Sequence, residues 1–178
     1  GWEKPAVQKN EIRVRTNPLK TDTSVVNYDV TVTRNGPIIL DEGGKRYALK
    51  WTARDPKNSE FEAFFGLNRA KNWEDFKRAL KTYGGATQNF VYADSKGNIG
   101  WYAAGRIPLR KTGDGALPYD GSTNDGEWTG YIPFDELPHL YNPPAGLIVT
   151  ANQRIVGTDY KYPEMSRDVA TPWRARTI

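Results

Sequence analysis

The apolar residues of this chain change period twice, and that switch limits what it can fold into. Residues 11–15 alternate polar and apolar (Glu11-Ile12-Arg13-Val14-Arg15), as a strand with one buried face does. After the Asn17-Pro18 break comes a β-branched run over residues 23–33, with Val26, Tyr28, Val30 and Val32 on one parity. Asn35-Gly36-Pro37 reads as a turn and residues 38–40 as a short strand. Glu42-Gly43-Gly44-Lys45 reads as a hairpin loop, and residues 46–53 as the returning strand. From residue 59 the spacing becomes helical. Phe61, Phe64, Phe65 and Asn68 share a face, and Ser59 and Glu62 have capping-box spacing. Asn72 caps a second helix whose apolar stripe is Trp73, Phe76, Ala79 and Leu80, and Tyr83-Gly84-Gly85 ends it. Both aromatic stripes read as core. Strand patterns return at residues 89–93 and 99–103, flanking the loop Asp94-Ser95-Lys96-Gly97-Asn98. Residues 106–146, punctuated by prolines from Pro108 to Pro144, read as loop. Residues 147–151 read as a final strand running into Asn152, and Trp173 begins a helix. The pattern predicts an α+β fold, mostly antiparallel sheet with a two-helix insertion.

At 178 residues the chain has the length of one domain, and residues 1–178 are taken as one. Cysteine is absent and His139 is the only histidine, which excludes disulfide scaffolds, Cys- or His-rich zinc sites and iron–sulfur clusters within these residues. A Ser-His-Asp triad could use only His139, which sits in the Pro-flanked turn Leu137-Pro138-His139. The net charge is +4, but the signs are interspersed, which reads as a solvated surface and not as a nucleic-acid interface. No apolar window reaches the roughly 18–20 residues of a membrane span. The carboxylates Asp114, Asp120, Asp125, Glu127, Asp135 and Glu136 fall in the long loop and read as solvated. No phosphate-binding glycine motif occurs. The residue that stands out is Asn152, a carboxamide at a strand end. It reads either as a turn cap or as a hydrogen-bond donor in a site, and the residues alone favour the cap. They leave function open.

Ordered blocks nevertheless run through nearly the whole chain. They include Thr33-Arg34-Asn35-Gly36-Pro37, Tyr47-Ala48-Leu49-Lys50-Trp51-Thr52-Ala53 and Leu67-Asn68-Arg69-Ala70-Lys71-Asn72-Trp73. Gln88-Asn89-Phe90-Val91-Tyr92-Ala93-Asp94, Gly105-Arg106-Ile107-Pro108-Leu109-Arg110 and Glu127-Trp128-Thr129-Gly130 follow. Asn142-Pro143-Pro144-Ala145-Gly146, Thr150-Ala151-Asn152-Gln153 and Trp173-Arg174-Ala175-Arg176 complete the series. From Trp2 onward the sequence resembles the β-subunit of the penicillin amidase family of N-terminal-nucleophile hydrolases.

That resemblance implies an αββα sandwich made from one cleaved precursor, and hydrolysis of a linear amide between an acyl group and an amine, as in penicillin or an acyl-homoserine lactone. The family's nucleophile is the N-terminal residue of the β-subunit, usually Ser, with its own α-amino group as base. The resemblance implies that Asn152 donates to the oxyanion, that Arg174 helps hold the site and that Gln88 lines the acyl pocket. It implies no cofactor for the chemistry, with a structural calcium as an option in the parent protein. The partners it implies are a small-molecule amide substrate and the remaining β-subunit and α-subunit; the location is periplasmic or extracellular. Asn35 departs from the family's usual His before Gly36-Pro37. The nucleophile is expected upstream of the point matching Trp2, so these 178 residues are read as a central fragment, inactive alone, whose uncovered strand edges favour self-association. The competing expectation is a stand-alone binding module that uses exposed aromatics for sugars or peptides.

Overall fold

Alternating and β-branched residues near the N-terminus pair as an antiparallel meander. The computed structural model describes residues 3–162 and 169–178; Gly1 and Trp2, where the resemblance begins, lie outside them. Contacts divide the chain into two compact units, Gly1–Trp51 and Thr52–Ile178, where the sequence reading draws one domain.

The first unit is a single sheet in the order β1-β2-β3-β4, built from β1 (Ala6–Arg15), β2 (Thr23–Thr33), β3 (Gly36–Glu42) and β4 (Lys45–Ala48). In β1/β2, Ile12 lies opposite Val26, Asn10 opposite Tyr28 and Gln8 opposite Val30. Directly opposed residues share a face, so the predicted apolar parity is real. The burial expected for it is not found within this unit: Ile12 is 48% and Tyr28 58% exposed. Gly36 allows the β2–β3 turn to pass close to the chain leaving β4. Its φ is +112°, and a Cβ there would lie 2.0 Å from the Leu49 carbonyl oxygen. The strand predicted over residues 46–53 stops at Ala48, and Thr52–Arg54 forms a 3-10 turn at the start of the second unit.

In the second unit α1 (Glu60–Leu67) and α2 (Trp73–Leu80) precede β5 (Gln88–Ala93) and β6 (Ile99–Ala104). The region read as loop contributes β7 (Pro108–Arg110), β8 (Trp128–Tyr131) and β9 (His139–Tyr141). β9 pairs with β6 to complete a β5-β6-β9 sheet, while β7 and β8 pair separately. These strands are too short to show a period, and their pairing partners are distant in sequence. Asn72 caps α2 as expected, accepting from the Asp75 N–H at 2.9 Å. Ser59 occupies the α1 N-cap but makes no side-chain cap bond, so that capping box does not form.

The core forms where α2 meets the β5-β6-β9 sheet. Trp73, Phe76 and Leu80 are buried with Tyr92 and Tyr102. The Trp73 ring stacks on Phe76 at 5.3 Å and on Tyr141 at 5.0 Å. Gly100 makes room for it, since a Cβ there would sit 2.5 Å from the indole. The α1 stripe is a correction. Phe61 is 83% exposed, and Phe64 and Phe65 are about half exposed; Ala63 is the buried residue of this helix. α1 approaches α2 through small residues, with Gly66 facing Ala79, and this close approach buries the small face. Phe64 still leans on Tyr83 and Phe90 at 6.0 Å each. Phe61 and Phe65 stack on each other along the helix, and Arg69 covers the Phe65 ring at 4.1 Å.

Candidate active site

Residues 147–151 carry the β-branched character of a strand but join no ladder among the described residues, contrary to the sequence expectation. A strand requires a partner for its N–H and C=O groups. Here a side chain supplies one. The Gln153 carboxamide folds back, accepting from the Ala151 N–H at 2.6 Å and donating to the Val149 carbonyl at 2.7 Å.

The chain turns at Asn152, whose φ of +60° places it in the left-handed region. Asn is among the few non-glycine residues that occupy this region readily. The Asn152 carbonyl accepts from the Ala170 N–H at 2.7 Å, which ties the segment from Ala170 onward to the turn. That segment leads into α3 (Trp173–Thr177), which Pro172 precedes with φ −75°, ready for a helix start. Arg174, in the first turn of α3, reaches the same place. Its Nη2 donates to the Ala151 carbonyl and to Asn152 Oδ1, both at 2.9 Å.

A guanidinium has donors and no acceptor. The atom of Asn152 that meets it is therefore the oxygen, and the orientation of the carboxamide is set by chemistry. Nδ2 is left on the other side, with no acceptor among the described residues. Thr150, Ala151, Asn152, Trp173, Arg174 and Thr177 line the open pocket around this pair. The arrangement can present two N–H donors from Nδ2 to an oxygen gaining negative charge, with the dipole held by a fixed cation behind it.

Asn152 and Arg174 are thus brought together. Gln88 is not part of this group: it is exposed at the start of β5, opposite Ala104, and lines no part of the Asn152 pocket. His139 is exposed on β9 and packs one face of its ring on the core. Its ring lies flat on Tyr102 at 4.8 Å, and Nδ1 donates to the Leu137 carbonyl at 2.7 Å, where a triad would place a carboxylate. Asp120 accepts from the Ser122 hydroxyl and N–H, and these bonds hold its carboxyl below the usual range, as in a turn-forming residue. No three His, Asp or Glu side chains gather as a metal site among the described residues. Sequence reading missed Gln153. Its signals were its place directly after Asn152 and its membership of the Thr150-Ala151-Asn152-Gln153 block.

The family model described as penicillin amidase matches residues 1–178. The penicillin acylase 2 proenzyme of Pseudomonas sp. (strain SE83) is 33% identical over 156 residues, 85% of this chain and 20% of that protein. An acyl-homoserine lactone acylase of Pseudomonas fluorescens is 35% identical over 153 residues, 82% of this chain and 18% of its own length. The penicillin G acylase of Escherichia coli is 41% identical over 155 residues, 85% of this chain and 17% of that protein. Among solved structures, the thermostable penicillin G acylase from Alcaligenes faecalis superposes with a TM-score of 0.75 at 25% identity, over 94% of this chain and 29% of that one. The chain spans about a fifth of the length of these curated relatives.

Proposed function

Because the chain belongs to the penicillin amidase family and has the fold of an N-terminal-nucleophile hydrolase, we propose that it carries the oxyanion-binding part of an acylase. The parent protein hydrolyses a linear amide between an acyl group and an amine, of the penicillin or acyl-homoserine lactone kind. The remaining β-subunit supplies the N-terminal nucleophile, whose α-amino group takes its proton, and the α-subunit completes the acyl pocket beside Gln88. As the nucleophile adds to the carbonyl carbon, the C=O π electrons move to oxygen and Asn152 Nδ2–H donates to that oxyanion. Collapse of the adduct breaks the C–N bond and the amine leaves with the proton held by the α-amino group. Water then cleaves the acyl-enzyme by the same sequence. No cofactor enters this chemistry. A structural calcium, and a periplasmic or extracellular location, belong to the same reading of the whole protein.

The observation that carries the proposal is the double donation of Arg174 to the Ala151 carbonyl and Asn152 Oδ1, which fixes which way the carboxamide faces. The test is Asn152→Ala in the full-length processed enzyme. Loss of one oxyanion donor lowers kcat about a hundred- to a thousandfold and leaves KM nearly unchanged. A kcat within about threefold of the parent, with a sharply lower melting temperature, would make Asn152 a turn cap and overturn the proposal.

A further inference from the structure

We infer that Gln153 is a positioning residue for the oxyanion donor, acting through the backbone of residues 149–151. This rests on the reading of Asn152 given above. In a parallel ladder one residue donates its N–H to the carbonyl of residue i−1 and accepts from the N–H of residue i+1 on its neighbour. The Gln153 carboxamide makes this pair of bonds with the Val149 carbonyl and the Ala151 N–H, at 2.7 and 2.6 Å. A single side chain therefore does the work of an adjoining strand. It is half-buried, and its orientation is unambiguous, since an N–H must meet an oxygen and a carbonyl must meet the NH2.

The consequence falls on Asn152. Both polar groups of the Ala151 backbone are then fixed, the N–H by Gln153 and the carbonyl by Arg174. Asn152 leaves this clamped residue with φ +60°, and its own carbonyl is tied to the Ala170 N–H. Arg174 sets the orientation of the carboxamide and Gln153 sets the place from which it projects. An oxyanion donor displaced by about 1 Å loses on the order of a hundredfold in rate, so the placement matters as much as the orientation.

The experiment compares Gln153→Met, Gln153→Glu, Asn152→Ala and the double variant Asn152→Ala/Gln153→Met in the full-length processed enzyme. Gln153→Met keeps the shape and loses both bonds; kcat is expected to fall about ten- to a hundredfold with KM little changed. In the Asn152→Ala background the same change is expected to cost less than threefold, because the donor that Gln153 places is already gone. Gln153→Glu supplies a pH signature. Its carboxylate cannot donate to Val149, whereas its protonated carboxyl both donates and accepts. Its kcat relative to the parent should therefore rise as pH falls toward the carboxylate range, and that of Gln153→Met should not. A full additive loss in the double variant, or a Gln153→Glu deficit independent of pH, overturns the inference. So does failure of both single Gln153 variants to accumulate as folded enzyme while Asn152→Ala accumulates normally, which would assign Gln153 to folding. Failure of the underlying reading looks different: Asn152→Ala itself would leave kcat unchanged.

Discussion

At the scale of single residues, Asn152 has two separable duties. Its backbone occupies the left-handed region at φ +60°, and its side chain, held by Arg174 through Oδ1, is the proposed oxyanion donor through Nδ2. An alanine there loses the donor and adds about 1 kcal/mol of backbone strain, whereas glycine loses the donor without the strain. Asn152→Gly is therefore expected to melt above Asn152→Ala while both lose kcat to the same extent, as thermal scans and steady-state kinetics of the full-length enzyme would show. Equal melting temperatures would mean that the left-handed conformation is not held. Asn152 stood out in the sequence as a carboxamide at the end of an apolar run, and the block Thr150-Ala151-Asn152-Gln153 supplied the role expected of it. Its conformation and its bond to Arg174, 22 residues away, were not legible there, because neither leaves a local trace.

At the scale of elements, the β5–β6 hairpin shows how a loop motif becomes a structural lock. Asp94 accepts from the Lys96 and Asn98 N–H groups, from Asn98 Nδ2 and from the Tyr92 hydroxyl. The Asn98 side-chain bond leads the effects that hold the Asp94 carboxyl down at about 2, below its ordinary 3.8. A depressed carboxyl stabilises the fold above its unfolded value, and that contribution is lost as pH falls from about 4 through about 2. Melting temperature followed over that range should fall less steeply for Asp94→Asn than for the parent; identical slopes would show that Asp94 is not a source of the acid sensitivity. The same hairpin is tied to β9 by Asn142, whose Oδ1 accepts from the Ile99 N–H and whose Nδ2 donates to Asn98 Oδ1. Further along β6, Gly100→Ala would push a methyl to within 2.5 Å of the Trp73 ring. Overpacking of this kind costs about 1–3 kcal/mol, and a denaturant midpoint equal to the parent's would show that α2 yields without cost.

At the scale of the whole molecule, the first unit has an apolar sheet face that its own four strands do not cover. Ile12, Val14, Val26 and Tyr28 on that face are all more than two-fifths exposed. β1 is also the edge strand of its sheet, and exposed edges beside apolar faces pair readily with other chains. The 178-residue chain is accordingly expected to self-associate, and Val26→Lys with Tyr28→Lys to weaken that association. Sedimentation of both proteins at high micromolar concentration tests this; a strictly monomeric parent chain would refute it. The isolated chain is also expected to show no hydrolysis of a chromogenic phenylacetyl anilide above the buffer rate, because the proposed nucleophile belongs to the remaining β-subunit.

The sequence by itself determined the elements whose signals are local. Residues 23–33 of β2, the Asn72-capped α2 and the β5–β6 hairpin stand where periodicity and cap chemistry put them. The ordered blocks likewise carried the family, since they are a property of the chain and need no geometry. Tertiary structure alone decided which faces are covered. Periodicity marks an apolar stripe without saying what meets it. Thus Phe61 and Phe65 lie outward because Gly66 and Ala79 let two helices approach through their small residues. Residues 147–151 have the composition of a strand, but whether a partner strand meets them is a tertiary matter, and none does among the described residues. A strand exists only where another strand supplies the facing N–H and C=O groups, and here the side chain of Gln153 meets the Ala151 N–H and the Val149 carbonyl instead.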